Sequence, residues 1–435
     1  LVLSGTANAG AGVYIGAGTS NLFLNNTIIS GSSFNNSGID VRNNLSGTNV
    51  NFTGYSVNGA GVNFVGGNQS ITGNSAIYGS SVEANGLVFA GGVQTFNLTA
   101  GNTSRLTGIT GNSTNASSVG LNISVMPVTL LQNGGNILIG GTANVGTGVL
   151  ITSSNIVFSV PNSTVSGSSA SGSGVLMCST GNISISGAAI QGTSNTGRAI
   201  NITAASGGSG AGGVLLASNA SLNASGILFI SGNTTALTTD AINILGNIVA
   251  NNASNNITGY ASGGSGVNFS AGNQTIAGNI SGFSSTGTFP NTGLIFNAGN
   301  QTLSGILTGS GTGNSGVIFN GGNQFINATG VVNGTSSSIV GVQFRQSNAT
   351  ISGAVNGVVA TGSYAGVYID GGNVTFNNAN VTGSGGSSAN GVQFANYLAG
   401  VHAITGNTTL RGLANTGAGV LFAAGQTVNI TGNAT

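Results

Sequence analysis

Between Gly266 and Asn390 the apolar residues recur in a pattern that superimposes on itself five times. The lines GVNF, GLIF, GVIF, GVQF and GVYI open at Gly266, Gly293, Gly316, Gly341 and Gly366, at spacings of 27, 23, 25 and 25 residues. The second and fourth places are apolar in every line: Val267 and Phe269, Leu294 and Phe296, Val317 and Phe319, Val342 and Phe344, Val367 and Ile369. The third place varies freely from Asn268 to Tyr368. Alternation with a period of two predicts a short strand with one buried face. A second strand is expected at NQTI, NQTL, NQFI, NATI and NVTF, and a third, weaker one at the ISG-like segments. Gly, Asn and Ser between them are read as turns.

Three short strands in about 25 residues cannot bury a face alone. Stacking each coil on the next, about 4.8 Å away, pairs every strand with its equivalent above and below. The expected fold is all-β, a parallel β-helix with three short strands per coil, wound right-handed as parallel crossovers are.

The same opening recurs at Gly12, Gly38, Gly61, Gly86, Gly120, Gly148 and Gly174, at Ala199 and Ala241, and at Gly391 and Gly419. One continuous solenoid over 1–435 is therefore expected, without a domain division. Both chain ends fall inside coils, so the sequence reads as a window of a longer, uncapped array. The coil from Gly86 to Gly120 carries an excess, GNTSRLTGITGNSTNASS, expected to bulge out as a loop. Pro127 and Pro161 are placed at corners. Between Ala199 and Ala241 two segments, GVLLAS and GILFIS, compete for the first-strand position.

Two ladders are expected to hold the stack together. Phe269, Phe296, Phe319 and Phe344, with Phe64, Phe89, Phe394 and Phe422, should pile up along one inner face. Asn273, Asn300, Asn323, Asn348 and Asn373 stand seven places after their opening glycines and should form an interior amide ladder at a corner. Arg345 and Asp370 occupy the fifth place of adjacent coils and should face each other as a surface ion pair worth under about 1 kcal/mol.

Composition narrows the function. The 80 glycines among 435 residues come with only three prolines and no Gly-X-Y period, which excludes collagen. Hydrophobic residues make up 39%, in phase, so a core forms. Charge is nearly absent: five Arg or Lys, four Asp or Glu and a net charge of +1. That gives no electrostatic reason for nucleic acid or an anionic membrane as partner. It also leaves the surface to Asn, Ser, Thr and Gly, without the self-repulsion that opposes association. No apolar run is long enough to span a bilayer.

The acids are Asp40, Glu83, Asp240 and Asp370, and no two share a phase that would make a catalytic pair. One histidine, His402, and one cysteine, Cys178, cannot build a triad or a metal site without nearby acids. No enzymatic activity, metal or cofactor is expected. Asn-X-Ser/Thr recurs, for example at Asn68, Asn233, Asn273 and Asn407. As acceptors these would mark a surface glycoprotein. Against that, the composition generates the tripeptide by chance, and many of these asparagines are assigned to the interior ladder.

GTANAGAGVYI near the start, GTANVGTGVLI at 141–151 and the GVxF…GNQTI…GN lines resemble the repeat regions of filamentous-haemagglutinin-like exoproteins, the two-partner secretion adhesins of Gram-negative bacteria. The resemblance covers nearly the whole chain. It implies a long right-handed β-helix carried to the bacterial cell surface, acting in attachment, aggregation or biofilm. Its partners would be a host or neighbouring-cell surface, glycans included, and it supplies no catalytic residues. The alternative from another class is a self-assembling extracellular filament or sheath subunit.

Overall fold

The computed structural model describes the chain apart from residues 19–20, 93, 100–103, 111–117, 125–127, 134–136, 154–155, 160–163, 180–182, 187–188, 195–199, 204–220, 225–228, 235–239, 245–246, 286–291, 396–399 and 433–435. It is all-β, and its strands run parallel in a β-solenoid with a repeat of about 25 residues. The chain divides into two compact units, Leu1–Thr234 and Thr235–Thr435.

In the second unit the GVxF segments form an eight-stranded parallel sheet from Ile242–Ile244 to Val420–Phe422. The register is in phase throughout, with Val267 on Leu294, Val317, Val342, Val367 and Val392. The second strand is short, as in Gln274–Ile276, and the third longer, as in Asn279–Ser284, until Val401–Thr405 and Thr409–Leu413, which are equal in length. The third strand, expected to be the weak one, therefore carries more rung-to-rung hydrogen bonds than the second.

The first unit repeats the arrangement in eight strands from Val13–Ile15 to Ile200–Thr203. In its early coils the second and third strands run together, over Leu22–Ser33 and Leu45–Ser56. The corner inside each is an asparagine in left-handed conformation, Asn26 at φ 49° and Asn49 at φ 54°. Asparagine is among the few non-glycine residues that adopt it readily.

The inner face is the phenylalanine column. Phe269 and Phe296 stack with centroids 4.6 Å apart, Phe296 and Phe319 at 5.1 Å, Phe319 and Phe344 at 4.9 Å. Phe64 and Phe89 do the same in the first unit at 4.7 Å. All six are fully buried. Each buried ring contributes about 2–3 kcal/mol by leaving water and each stacked pair about 0.5–1.5 kcal/mol more.

Glycine has a second role besides turning. Inward positions of the third strand are held by one in-phase glycine column, Gly259, Gly282, Gly309, Gly334, Gly357, Gly383 and Gly412 in the second unit. These pack backbone to backbone on the glycine that opens the following first strand. A Cβ on Gly309 would stand 2.1 Å from the carbonyl oxygen of Gly316, and one on Gly316 would stand 2.4 Å from the amide of Thr335.

In several coils a serine two places after the column glycine closes the turn, as after Gly79 and Gly167 in the first unit. Ser81 Oγ donates to the Gly59 carbonyl at 2.7 Å and accepts from the Ala84 amide at 3.0 Å. Ser169 repeats this with Gly146 and Gly172 at 2.6 and 2.8 Å.

Two expectations are corrected by the strand pairing. Ser104–Thr110, within the segment read as an outward loop, is a third strand paired with Ala76–Ser81 and Ile137–Ala143. Its Gly108 falls on the glycine column between Gly79 and Gly141, in phase with the neighbouring coils. Between 199 and 241, Ile200–Thr203 is the first strand, and Phe229–Thr234, from the competing GILFIS, is a third strand on Ala189–Ser194. GVLLAS, Pro127 and Pro161 lie outside the described residues.

Replacing Ser169 by Ala removes the hydroxyl that bridges the Gly146 carbonyl and the Gly172 amide. The Ser169→Ala chain should lose about 1–3 kcal/mol of local stability. Native-state hydrogen exchange should show this as faster exchange at Gly172. Unchanged protection there would show that the hydroxyl bridge is dispensable.

Candidate functional site

The asparagines assigned to the interior are on the outside. Asn273, Asn300, Asn323, Asn348 and Asn373 are all exposed. They still form a rung-to-rung ladder. Asn273 Oδ1 accepts the Asn300 amide at 2.9 Å, and Asn300 Oδ1 accepts Asn323 Nδ2 at 3.0 Å. Asn323 Oδ1 accepts Asn348 Nδ2 at 3.3 Å, and Asn348 Oδ1 accepts the Asn373 amide at 3.1 Å. Facing water, such bonds replace hydration and contribute modestly each. The acceptor-type tripeptides at Asn68, Asn233, Asn273 and Asn407 are exposed too, so assignment to an interior ladder does not account for them.

The interior amide at that corner is the next residue. Gln69, Gln274, Gln301 and Gln324 are buried. Their Nε2 groups donate to corner carbonyls, Gln301 to Ala298 at 2.9 Å and Gln324 to Gly321 at 2.8 Å. Parity was the available signal. Gln274 stands two places before Ile276 and shares its inward face, whereas Asn273 stands three before it. In later coils Ala349, Val374 and His402 take the glutamine position.

His402 is fully buried. Its Nδ1 accepts the Val374 amide at 3.4 Å, and its Nε2 lies 2.9 Å from Gln426 Oε1. Those partners suit the neutral ring with the proton on Nε2. Burial lowers its pKa from the ordinary imidazole value, against a smaller opposing effect of the Gln426 bond.

The acids are held separately. Asp40 is buried and its Oδ2 accepts Nε and Nη2 of Arg42 at 3.1 and 3.0 Å, with the guanidinium 5.6 Å from the Tyr14 ring centre. Asp240 accepts the Ser265 amide at 2.7 Å and Asn268 Nδ2 at 2.9 Å. A carboxylate only accepts, so the Asn268 amide must present its NH₂ to it and its oxygen to the next rung. Asn297 Nδ2 donates to that oxygen at 3.0 Å, and Asn320 Nδ2 donates to Asn297 Oδ1 at 3.3 Å. The aligned amide dipoles start at one anion and run toward Arg345, the register neighbour of Asn320. Glu83 lies in the turn after Ala76–Ser81. Cys178 sits on Val175–Ser179, between Thr152 and Thr203 in register.

Arg345 and Asp370 do face each other across one rung. They are not a surface ion pair, because Asp370 is only 8% exposed and no contact within 4.0 Å joins them. Asp370 immediately precedes the Gly371–Gly372 corner, where the chain folds over it, while the longer arginine stem keeps its charge in water. Burial raises the Asp370 pKa above the ordinary carboxylate value, and the Arg345 charge opposes this to a lesser degree.

Among the described residues no three His, Cys, Asp or Glu side chains gather as a metal site would need, and no helix is long and apolar enough to cross a membrane. No protein-family model and no curated protein matches the chain.

Two pH effects follow from the buried groups. The unfolded chain protonates His402 near pH 6.5, before the folded chain does, so stability falls as pH drops below about 6.5. Hydrogen exchange over Val401–Thr431 should speed up between pH 7.5 and 5 after correction for intrinsic rates. His402→Gln should flatten that dependence, and an unchanged profile in the parent chain would contradict it. For Asp370 the sign is opposite: its raised pKa favours folding at low pH, and that contribution is lost as pH rises through the folded value. Asp370→Asn should therefore raise Tm at pH 7 and leave it unchanged below about pH 4. A lower Tm at pH 7 would mean that the charge is stabilising.

Proposed function

We propose that this chain is part of a non-enzymatic stalk of a bacterial surface adhesin, secreted and displayed outside the cell. The single observation that carries the reading is the repetition of one self-supporting rung. Within each unit the same three strands, glycine column and outer polar ladder recur coil after coil. Such a structure lengthens by adding rungs, and each rung needs only its neighbours. Extension is then the function, holding a distal tip or the flank of the stalk against a host surface or a neighbouring cell. The acids support a structural role, since Asp40 is bonded to Arg42 within its own coil and Asp240 ties its coil to the next through Ser265 and Asn268. The likeness of GTANAGAGVYI and GTANVGTGVLI to filamentous-haemagglutinin-like repeats points the same way, toward attachment, aggregation or biofilm.

The second reading is a self-assembling extracellular filament or sheath. It is favoured by the net charge of +1, which gives copies little reason to repel one another. Negative-stain electron microscopy at several protein concentrations separates the two. The stalk reading expects single thin rods whose width does not change with concentration. Bundles, tubes or regular lateral repeats that grow with concentration would overturn it in favour of the filament.

A further inference from the structure

Among the described residues of the second unit, the outer face of the third-strand sheet carries one feature unlike the rest. Tyr260 and Phe283, on consecutive rungs, stack with ring centroids 4.8 Å apart and planes 9° from parallel. Unlike the phenylalanines of the core, this pair is on the outside, with Tyr260 49% exposed. Above Phe283 the column continues with Ser310, so the next rung offers no ring to cover it. The pair forms one wall of a surface trough of about 310 Å³.

Polar side chains from the same three rungs form the remainder. Thr258, Ser281 and Thr308 stand one above another, and Asn279 lies beside them. Thr258 is already bonded to Asn256 at 2.9 Å. Among the described residues, Asn279, Ser281 and Thr308 have no side-chain partner, in contrast to the ladder asparagines at 273–373. Ile306 adds an apolar edge, and no charged residue lines the trough. An apolar face beside a few free donors and acceptors is the usual composition of a small-ligand site.

We propose that this trough binds a neutral saccharide. A pyranose has an apolar C–H face and a rim of hydroxyls that both donate and accept. The aromatic wall can meet the former, and the Asn279 amide with the Ser281 and Thr308 hydroxyls can meet the latter. Absence of charge selects against uronates and sulfated sugars, whose anionic groups would lose water without a cationic partner. The proposal deepens the adhesin reading by naming a ligand class. It does not depend on whether the chain stands alone or assembles.

The test is saturation-transfer-difference NMR on the full chain with a panel of neutral trisaccharides built from glucose, galactose, mannose and N-acetylglucosamine. A sulfated disaccharide is the anionic control. We expect saturable binding of at least one neutral member, with Kd on the order of 1 mM as suits a shallow trough with one aromatic wall. Phe283→Ala and Thr308→Val should each weaken it about five-fold or more, while Tyr55→Ala, an exposed tyrosine elsewhere, should not. Far-UV circular dichroism and Tm establish that each variant is folded, and Thr308→Val keeps the result interpretable if Phe283→Ala is not. No binding by any neutral sugar at 10-fold above that concentration would overturn the proposal. So would binding that survives both substitutions, or preference for the sulfated control. None of these outcomes bears on the stalk reading, which the micrographs decide separately.

Discussion

The contact on which each coil depends is between two stretches of backbone. Where the third strand turns into the next first strand, glycine meets glycine with no side chain between them. A Cβ at Gly31 would fall 2.0 Å from the Gly38 carbonyl oxygen, and one at Gly357 would fall 1.9 Å from that of Gly366. No side-chain rearrangement relieves a clash with backbone, so the third-strand side of this vertex is glycine throughout the described residues, while the opening side accepts alanine at Ala241. Its narrowness brings the two sheets together, and the phenylalanine column fills the interior they enclose. Where a serine follows, as at Ser33, Ser81 and Ser169, its hydroxyl bridges an amide and a carbonyl of the tight turn.

Much of this architecture is legible in the sequence because its period is short and its apolar positions are strict. Val267 and Phe269 with their equivalents suffice to place the first strands, and the phenylalanine stacks follow from stacking coils in phase. What escapes is information carried by absence of a side chain. Glycine marks a turn and a close approach with the same letter, so the ISG-like segments do not reveal that Gly282 and Gly309 are interior positions of close backbone approach. The asparagine ladder is misplaced for a different reason. A recurring amide suggests a buried ladder, but the alternation running back from Ile276 puts Gln274 inside and Asn273 outside. Asp370 shows a further limit, since register alone brings it opposite Arg345 without saying which way the adjoining corner folds.

The scarcity of charge acquires a structural meaning. Identical rungs about 4.8 Å apart would stack like charges directly on one another. Amides and hydroxyls stack without that cost, because each is both donor and acceptor. Ionic groups are confined to isolated positions, where Asp40 pairs with Arg42 and Asp240 sets the direction of the amide chain through Asn268, Asn297 and Asn320. The resulting surface is polar, uncharged and regular. It suits a scaffold, and the aromatic trough at Tyr260 and Phe283 is a local departure from it.

The most direct test of the glycine vertex is a comparison of two substitutions in the first unit, Gly31→Ala and Gly10→Ala, by urea unfolding followed through far-UV circular dichroism. A Cβ at Gly31 has backbone in its way, whereas one at Gly10 meets nothing within 4 Å. The account predicts a loss of about 2–4 kcal/mol for Gly31→Ala and a change within about 0.5 kcal/mol for Gly10→Ala. Equal, small effects at both positions would show that the coils do not depend on this contact.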